Sequence, residues 1–211
     1  AEKELWTEGI AGANIGLMET FDELEEAEGI LELLEREIVN KKRTFNEFVI
    51  LYRTNAQSRA LEDALRRRGI AYKIVGGVRF YERKEVKDLL AYLRLIVNSV
   101  DTVSLKRVVN FPPRGVGVKT VEKCEEYSRE KGISLLASTA DPDAFGLKGK
   151  PADGLRDFNS LIVKYAQLLP KLSAAELSSA VVDELGLVSF FKEQATAEAT
   201  ERLANVQELL N

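Results

Sequence analysis

The chain has 211 residues, 45% of them apolar, enough to build a core in one large domain or two small ones. It contains no histidine and one cysteine, Cys124, which excludes imidazole catalysis, catalytic triads, most zinc sites and a disulfide framework. The net charge of −4 conceals an asymmetry: residues 1–47 carry 13 acids and 5 bases, residues 48–119 carry 6 and 15, and residues 120–211 carry 15 and 10.

A basic middle in an acidic chain points to a local polyanion contact, weighed against the plainer reading of solvated helix faces. No run of about 18 apolar residues is present, so no membrane span is expected, and nothing resembles a signal peptide. Cysteine usage fits a reducing cytoplasm. The chain opens mid-pattern at Ala1 without a methionine, as an excised piece of a longer protein would.

In chain order, NIGLM (14–18) reads as a short strand. Thr20 then caps a helix, with Glu23 completing a capping box and Leu24, Ala27, Leu31, Leu34 and Ile38 along one face. FNEFVILYR (45–53) has the β-rich apolar run of a buried strand. A helix from about 56 to 68 follows, closed by Gly69, and AYKIV (71–75) makes a third strand. This alternation predicts a partial parallel α/β domain over residues 1–75. Beyond Gly76-Gly77 strand signals vanish, and residues 76–211 read as an all-helical domain. Its helices are expected near 83–97, 102–110, 118–131, 155–169, 173–185 and 195–210, with a loop at 140–154.

Two stretches can carry chemistry. In LYRTNAQSR (51–59) a strand ends near Arg53 and a helix begins at Thr54 or Asn55. Free N–H groups there, with Arg53 and Arg59, suit a phosphate, and Asn55 suits a sugar or base. A capped turn without a ligand fits the same residues. In FPPRGVGVKTVEK (111–123) two short helices flank a glycine turn resembling a helix-hairpin-helix. Gly115 and Gly117 let the backbone approach a partner, and successive N–H groups form an anion nest. A glycine-assisted helix corner is the competing reading. The arginines at 66–68 and KKR at 41–43 sit at helix ends, where cations offset the dipole. Phe80 and Tyr81 read as packing anchors, with the neighbouring bases facing solvent. No G-x-x-x-x-G-K-[ST] loop is present.

VILYRTNAQSR (49–59), AYKIVGGVRFYERKEVKDLLAYLRLIVN (71–98) and VVNFPPRGVGVKTVE (108–122) closely resemble the superfamily 1 DNA helicases of the UvrD/PcrA/Rep type. The weaker LWTE (5–8) and ERLANVQELLN (201–211) also fit. The resemblance implies a 3′-to-5′ translocase of DNA repair or replication, with two RecA-like domains, each bearing a helical insertion. On it, residues 1–75 are the first part of the second RecA-like domain (2A), and residues 76–211 are most of its inserted 2B domain, incomplete at the C-terminal end. Arg53, Thr54, Asn55 and Arg59 are implied to contact single-stranded DNA. Arg114, Gly115, Val116, Gly117, Lys119 and Thr120 are implied to contact duplex DNA, so the expected partner is a duplex with a 3′ tail. ATP and Mg²⁺ are implied for the parent protein. This piece lacks the phosphate loop and metal-binding acids, so it is expected to hold no cofactor, no metal and no ATPase activity. Repair or replication proteins are expected partners of the helical part. A freestanding nucleic-acid-binding module without a motor, or a protein-interaction domain using the acidic helices after residue 120, are the alternatives.

Overall fold

The computed structural model describes residue 9 and residues 12–211, so the LWTE match at 5–8 lies outside the described residues. Ten helices account for the regular structure of that range. The first, α1 (Glu23–Lys41), starts at Asp22, whose carboxylate accepts the N–H groups of Leu24 and Glu25 at 3.0 and 2.8 Å. The expected Thr20–Glu23 capping box is therefore replaced by an Asp cap two residues later. Ala27 and Leu31 are buried, whereas Leu24 lies outside the apolar face. They pack on α2 (Ser58–Arg67), entered through a 3₁₀ turn at Asn55–Gln57. At its end Gly69 takes φ +66° and Ile70 N–H donates to the Leu65 carbonyl at 2.9 Å, the expected glycine stop.

The expected strands at 14–18, 45–53 and 71–75 form no β-ladder among the described residues, so the parallel sheet predicted for residues 1–75 is not formed there. Residues Phe45–Glu47 are a 3₁₀ turn, and the chain leaves it extended at Phe48 (φ −114°, ψ 145°). Val49, Leu51 and Val75 are 81%, 88% and 86% exposed, although their side chains are those of buried strands. A strand's backbone groups are satisfied by a neighbouring strand, and among the described residues none pairs with these segments.

From Phe80 onward the chain is helical. Phe80 is fully buried, with the Tyr81 ring edge-on at 5.1 Å, as expected of packing anchors. Helices α3 (Lys84–Val97) and α4 (Thr102–Val108) pack together. After the glycine turn come α5 (Val118–Lys131) and α6 (Leu135–Ser138). A 3₁₀ turn at Pro142–Phe145 leads to α7 (Lys150–Leu168), which takes in the last residues of the expected 140–154 loop. Helices α8 (Ala174–Glu184), α9 (Leu187–Glu193) and α10 (Ala197–Leu210) complete the chain. The main core lies between α3, α7, α9 and α10, around Tyr92, Leu95, Phe158, Ile162, Phe191 and Val206. No helix of the described residues is long and apolar enough to cross a membrane.

Two apolar clusters result, one within residues 27–72 and one within residues 89–210. The seam between them is polar. Arg83, expected on a solvent face, is 7% exposed. Its guanidinium donates to Ser58 Oγ on α2 at 2.8 Å and to Asn205 Oδ1 on α10 at 2.7 Å. Asn205 Nδ2 donates to Glu85 at 2.6 Å, and Ser58 Oγ donates to Glu62 at 2.7 Å. Glu62 also accepts the Phe80 N–H at 3.1 Å and the Tyr72 hydroxyl at 3.1 Å. Each buried polar group in the seam is thus satisfied, which is the condition for such a network to fix one arrangement.

Candidate nucleic-acid interface

The structure divides the basic residues into paired and unpaired groups. Arg67 and Arg68 pair with Glu28 at 2.7 and 2.6 Å, Arg68 also reaches Glu35, and Arg66 pairs with Asp63. Those hydrogen bonds, Arg67's first, hold the Glu28 carboxyl below its usual range. Lys41 and Arg43 pair with Glu37. Arg67 and Arg68 therefore tie the end of α2 to α1, whereas Arg66 and Lys41 pair with acids of their own helix and Arg43 with an acid of the helix it follows. Arg53, Lys73, Arg79 and Lys119, by contrast, have no carboxylate partner among the described residues.

In the first cluster, Gln57 closes the turn that opens α2. Its Oε1 accepts the N–H groups of Arg53 and Thr54 at 3.1 and 3.0 Å and the Thr54 hydroxyl at 3.3 Å. Arg53 and Thr54 are exposed. Asn55 and Arg59 are half-buried and turned to α10. Asn55 Nδ2 donates to the Glu201 carboxylate, and Arg59 donates to the Glu208 carbonyl while lying 3.6 Å from its Oε1. The loop at Gly77 borders Asn55: a Cβ there would stand 3.6 Å from its Oδ1.

The second cluster is the turn from 109 to 117, which includes a cis Phe111–Pro112 peptide. Its flanking helices do not pair as a tight hairpin, because α4 packs on α3 and α5 on α6, with a Lys106–Glu125 ion pair across. Arg114 is half-buried and turned inward. Its guanidinium donates to the carbonyls of Phe111 and Pro112 at 2.9 and 3.2 Å, between the Tyr92 and Phe158 rings. Val116 and Thr120 are buried and seat the turn in the core. Gly115, Gly117 and Lys119 are exposed.

Asn110, which sequence reasoning passed over, sets the loop shape: its Oδ1 accepts the N–H groups of Arg114 and Val116 at 2.8 and 3.1 Å. Gly154 was also missed. A methyl on it would strike the Arg114 carbonyl and lie 2.9 Å from the Arg114 Cβ, so the close approach of the α7 backbone to the turn requires a glycine there. Nothing local in the sequence marks Gly154, because the constraint comes from a segment 40 residues away. Asn110 was legible as a turn former beside two prolines.

What the turn leaves available is a row of donors. The N–H groups of Gly115, Gly117, Val118 and Lys119 have no acceptor among the described residues, while those of Thr120 and Val121 bond the Gly117 carbonyl at 3.0 and 3.2 Å. Gly117 is the N-cap of α5 at φ −89°, and a Cβ on it would meet nothing within 4 Å. Free N–H groups at a helix N-terminus are the donors an anion uses, and Lys119 stands beside them. Among the described residues no group of three or more His, Cys, Asp or Glu side chains is placed to hold a metal.

The family model described as the UvrD-like helicase C-terminal domain matches residues 1–211. The chain is 37% identical over 209 residues to the ATP-dependent DNA helicase PcrA of Bacillus subtilis (strain 168), covering 99% of this chain and 28% of that protein. It is also 37% identical over 212 residues to the PcrA of Staphylococcus aureus (strain Mu50), with the same shares, and over 210 residues to that of Staphylococcus epidermidis. It thus spans little more than a quarter of these curated relatives. A match over the full chain, together with identity above a third to several relatives, shows that the chain belongs to the UvrD-like helicase C-terminal domain family.

Proposed function

We propose that this chain is the DNA-engaging portion of an ATP-dependent 3′-to-5′ DNA helicase of repair or replication. Residues 1–75 are read as the first part of a RecA-like 2A domain and residues 76–211 as a 2B-type helical domain. The exposed apolar side chains of Val49, Leu51 and Val75, all outside any helix, support the first assignment, since they have the character of sheet strands. Single-stranded DNA runs over Arg53, Thr54, Asn55 and Arg59. Duplex DNA meets the turn through the N–H groups of Gly115, Gly117, Val118 and Lys119 and the Lys119 ammonium. Arg114, Val116 and Thr120 act there by holding the turn's shape. ATP and Mg²⁺ belong to the parent protein, and this chain alone binds DNA without hydrolysing ATP. Repair or replication proteins are further partners of the helical part.

The observation that carries the reading is the row of unsatisfied backbone donors at Gly117–Lys119 beside a glycine with no steric need of its own. The single-strand half is tested with Arg53→Ala. It should weaken binding of a labelled single strand by about tenfold, roughly 1.4 kcal/mol, and flatten the dependence of affinity on salt. ATP turnover by the same preparation should stay at the blank level with or without DNA. Unchanged affinity and salt slope would make Arg53 a solvated surface residue and remove it from the site.

A further inference from the structure

Helix α10 lies across the residues assigned to the single strand. Asn55, the amide best suited to a sugar or base, gives its Nδ2 donor to the carboxylate of Glu201. Arg59 is held by Glu208 through both the main-chain oxygen and, at 3.6 Å, the carboxylate. These are the interactions a nucleic acid would make, with carboxylate oxygens standing where phosphate or base oxygens would lie. Arg53 and Thr54, on the same turn, remain outside α10's reach and exposed.

The two acids differ. Glu208 is half-buried, and burial pushes its carboxyl up against the pull of Arg59. Glu201 is exposed, and among the described residues its side chain is anchored only at Asn55. The packing of α10 rests elsewhere, on Leu203, Val206 and the Asn205–Arg83 bond. Glu201 can therefore leave Asn55 by a side-chain rotation while the helix stays in place.

We propose that Glu201 is an intramolecular competitor for single-stranded DNA: its carboxylate occupies Asn55, its charge opposes an incoming phosphate, and strand entry displaces it. This rests on the single-strand reading of residues 53–59. The charge acts over about 10 Å at moderate ionic strength, so the competition is strongest in low salt. Binding of the strand in turn frees Glu201, making occupancy of Asn55 a report on whether the site is filled.

The test is titration of a fluorescent oligothymidine with the full chain at low and high salt. Glu201→Gln removes the charge and keeps an acceptor for Asn55. It should tighten binding about fivefold in low salt, with the gain shrinking as salt rises. Glu130→Gln, the same charge change on α5, should leave affinity alone. Arg53→Ala should weaken binding in both the native and the Glu201→Gln backgrounds. If Glu201→Gln binds no tighter than the native chain while Arg53→Ala still weakens binding, the competitor role fails and the single-strand reading stands. A lowered melting temperature for Glu201→Gln with unchanged affinity would mean that Glu201 is a packing strap, which also overturns the proposal. If Arg53→Ala has no effect in either background, the single-strand reading fails and the competitor role falls with it.

Discussion

Gly115 and Gly117 stand one residue apart and answer to different constraints. Gly115 takes φ +77°, and a Cβ there would press on the Lys150 side chain at 3.0–3.4 Å. Gly117 has an extended backbone any residue can adopt, with open space around it. Gly115→Ala should therefore destabilise the fold by about 1–2 kcal/mol, the usual cost of a left-handed conformation for a residue with a Cβ, plus the displacement of Lys150. Thermal melts of Gly115→Ala and Gly117→Ala, side by side, check this. A loss in the second as large as in the first would contradict the division of roles. The glycine spacing was legible in the sequence. Which glycine needs its backbone freedom was not legible, because φ is set by Asn110 and the packing of α7 rather than by neighbours in the chain.

At the scale of elements, the turn is held down by Tyr92 in the middle of α3. The Tyr92 hydroxyl donates to the Val108 carbonyl at 3.1 Å and to the Phe111 carbonyl, joining Arg114 on the same group of oxygens. Burial pushes the Tyr92 hydroxyl up from 10 to about 12, with Arg114 drawing it partly back, and burial likewise pushes the Cys124 thiol from 9 to about 11. Both groups are neutral when folded and ionise sooner when unfolded. The stability they contribute is fully present below the unfolded pKa values and is lost as pH climbs through the folded ones. Stability should hold up to about pH 9 and decline towards pH 12, with Tyr92 accounting for about 2–3 kcal/mol of the loss. Tyr92→Phe should lower stability near neutrality and flatten the decline above pH 10. A melting temperature that is level from pH 9 to 12, or equally steep in the variant, would contradict the assignment.

The helices were legible because their hydrogen bonds are local and their apolar faces repeat within one element. The helix expected at 118–131 spans those residues, and the one expected at 83–97 starts one residue later. The three β-rich segments were read for what their side chains prefer. A strand exists only through its partner, and the described residues supply none, so the preference survives only as exposed valines and leucines outside any helix. Periodicity was also blind to the polar seam. Arg83 reads as one base among several in ERKEVKD, and only the meeting of α2, α3 and α10 makes it a buried bridge.

For the molecule as a whole, the charge pattern resolves once pairing is known. Of the basic middle, Arg59, Arg66, Arg67, Arg68, Lys106 and Arg107 pair with carboxylates within the chain. What remains near the two clusters is Arg53, Lys73 and Arg79 on one side and Lys119 on the other. On the proposed function, these two clusters bind two forms of DNA, single strand at the first and duplex at the second. Gly117→Ser separates them most directly. Serine is a better N-cap than glycine, and its hydroxyl would take one of the first N–H groups of α5, so the fold should be as stable as the native chain or slightly more so. The same hydroxyl withdraws a donor from the phosphate and fills the space the phosphate needs. The decisive measurement is anisotropy titration of native and Gly117→Ser chains with a blunt duplex, a 3′-tailed duplex and a single strand of the same length. Binding of both duplexes should weaken about tenfold, roughly 1.4 kcal/mol, while single-strand affinity stays unchanged. Equal affinities of the two chains for all three DNAs, or an equal loss on all three, would contradict the claim.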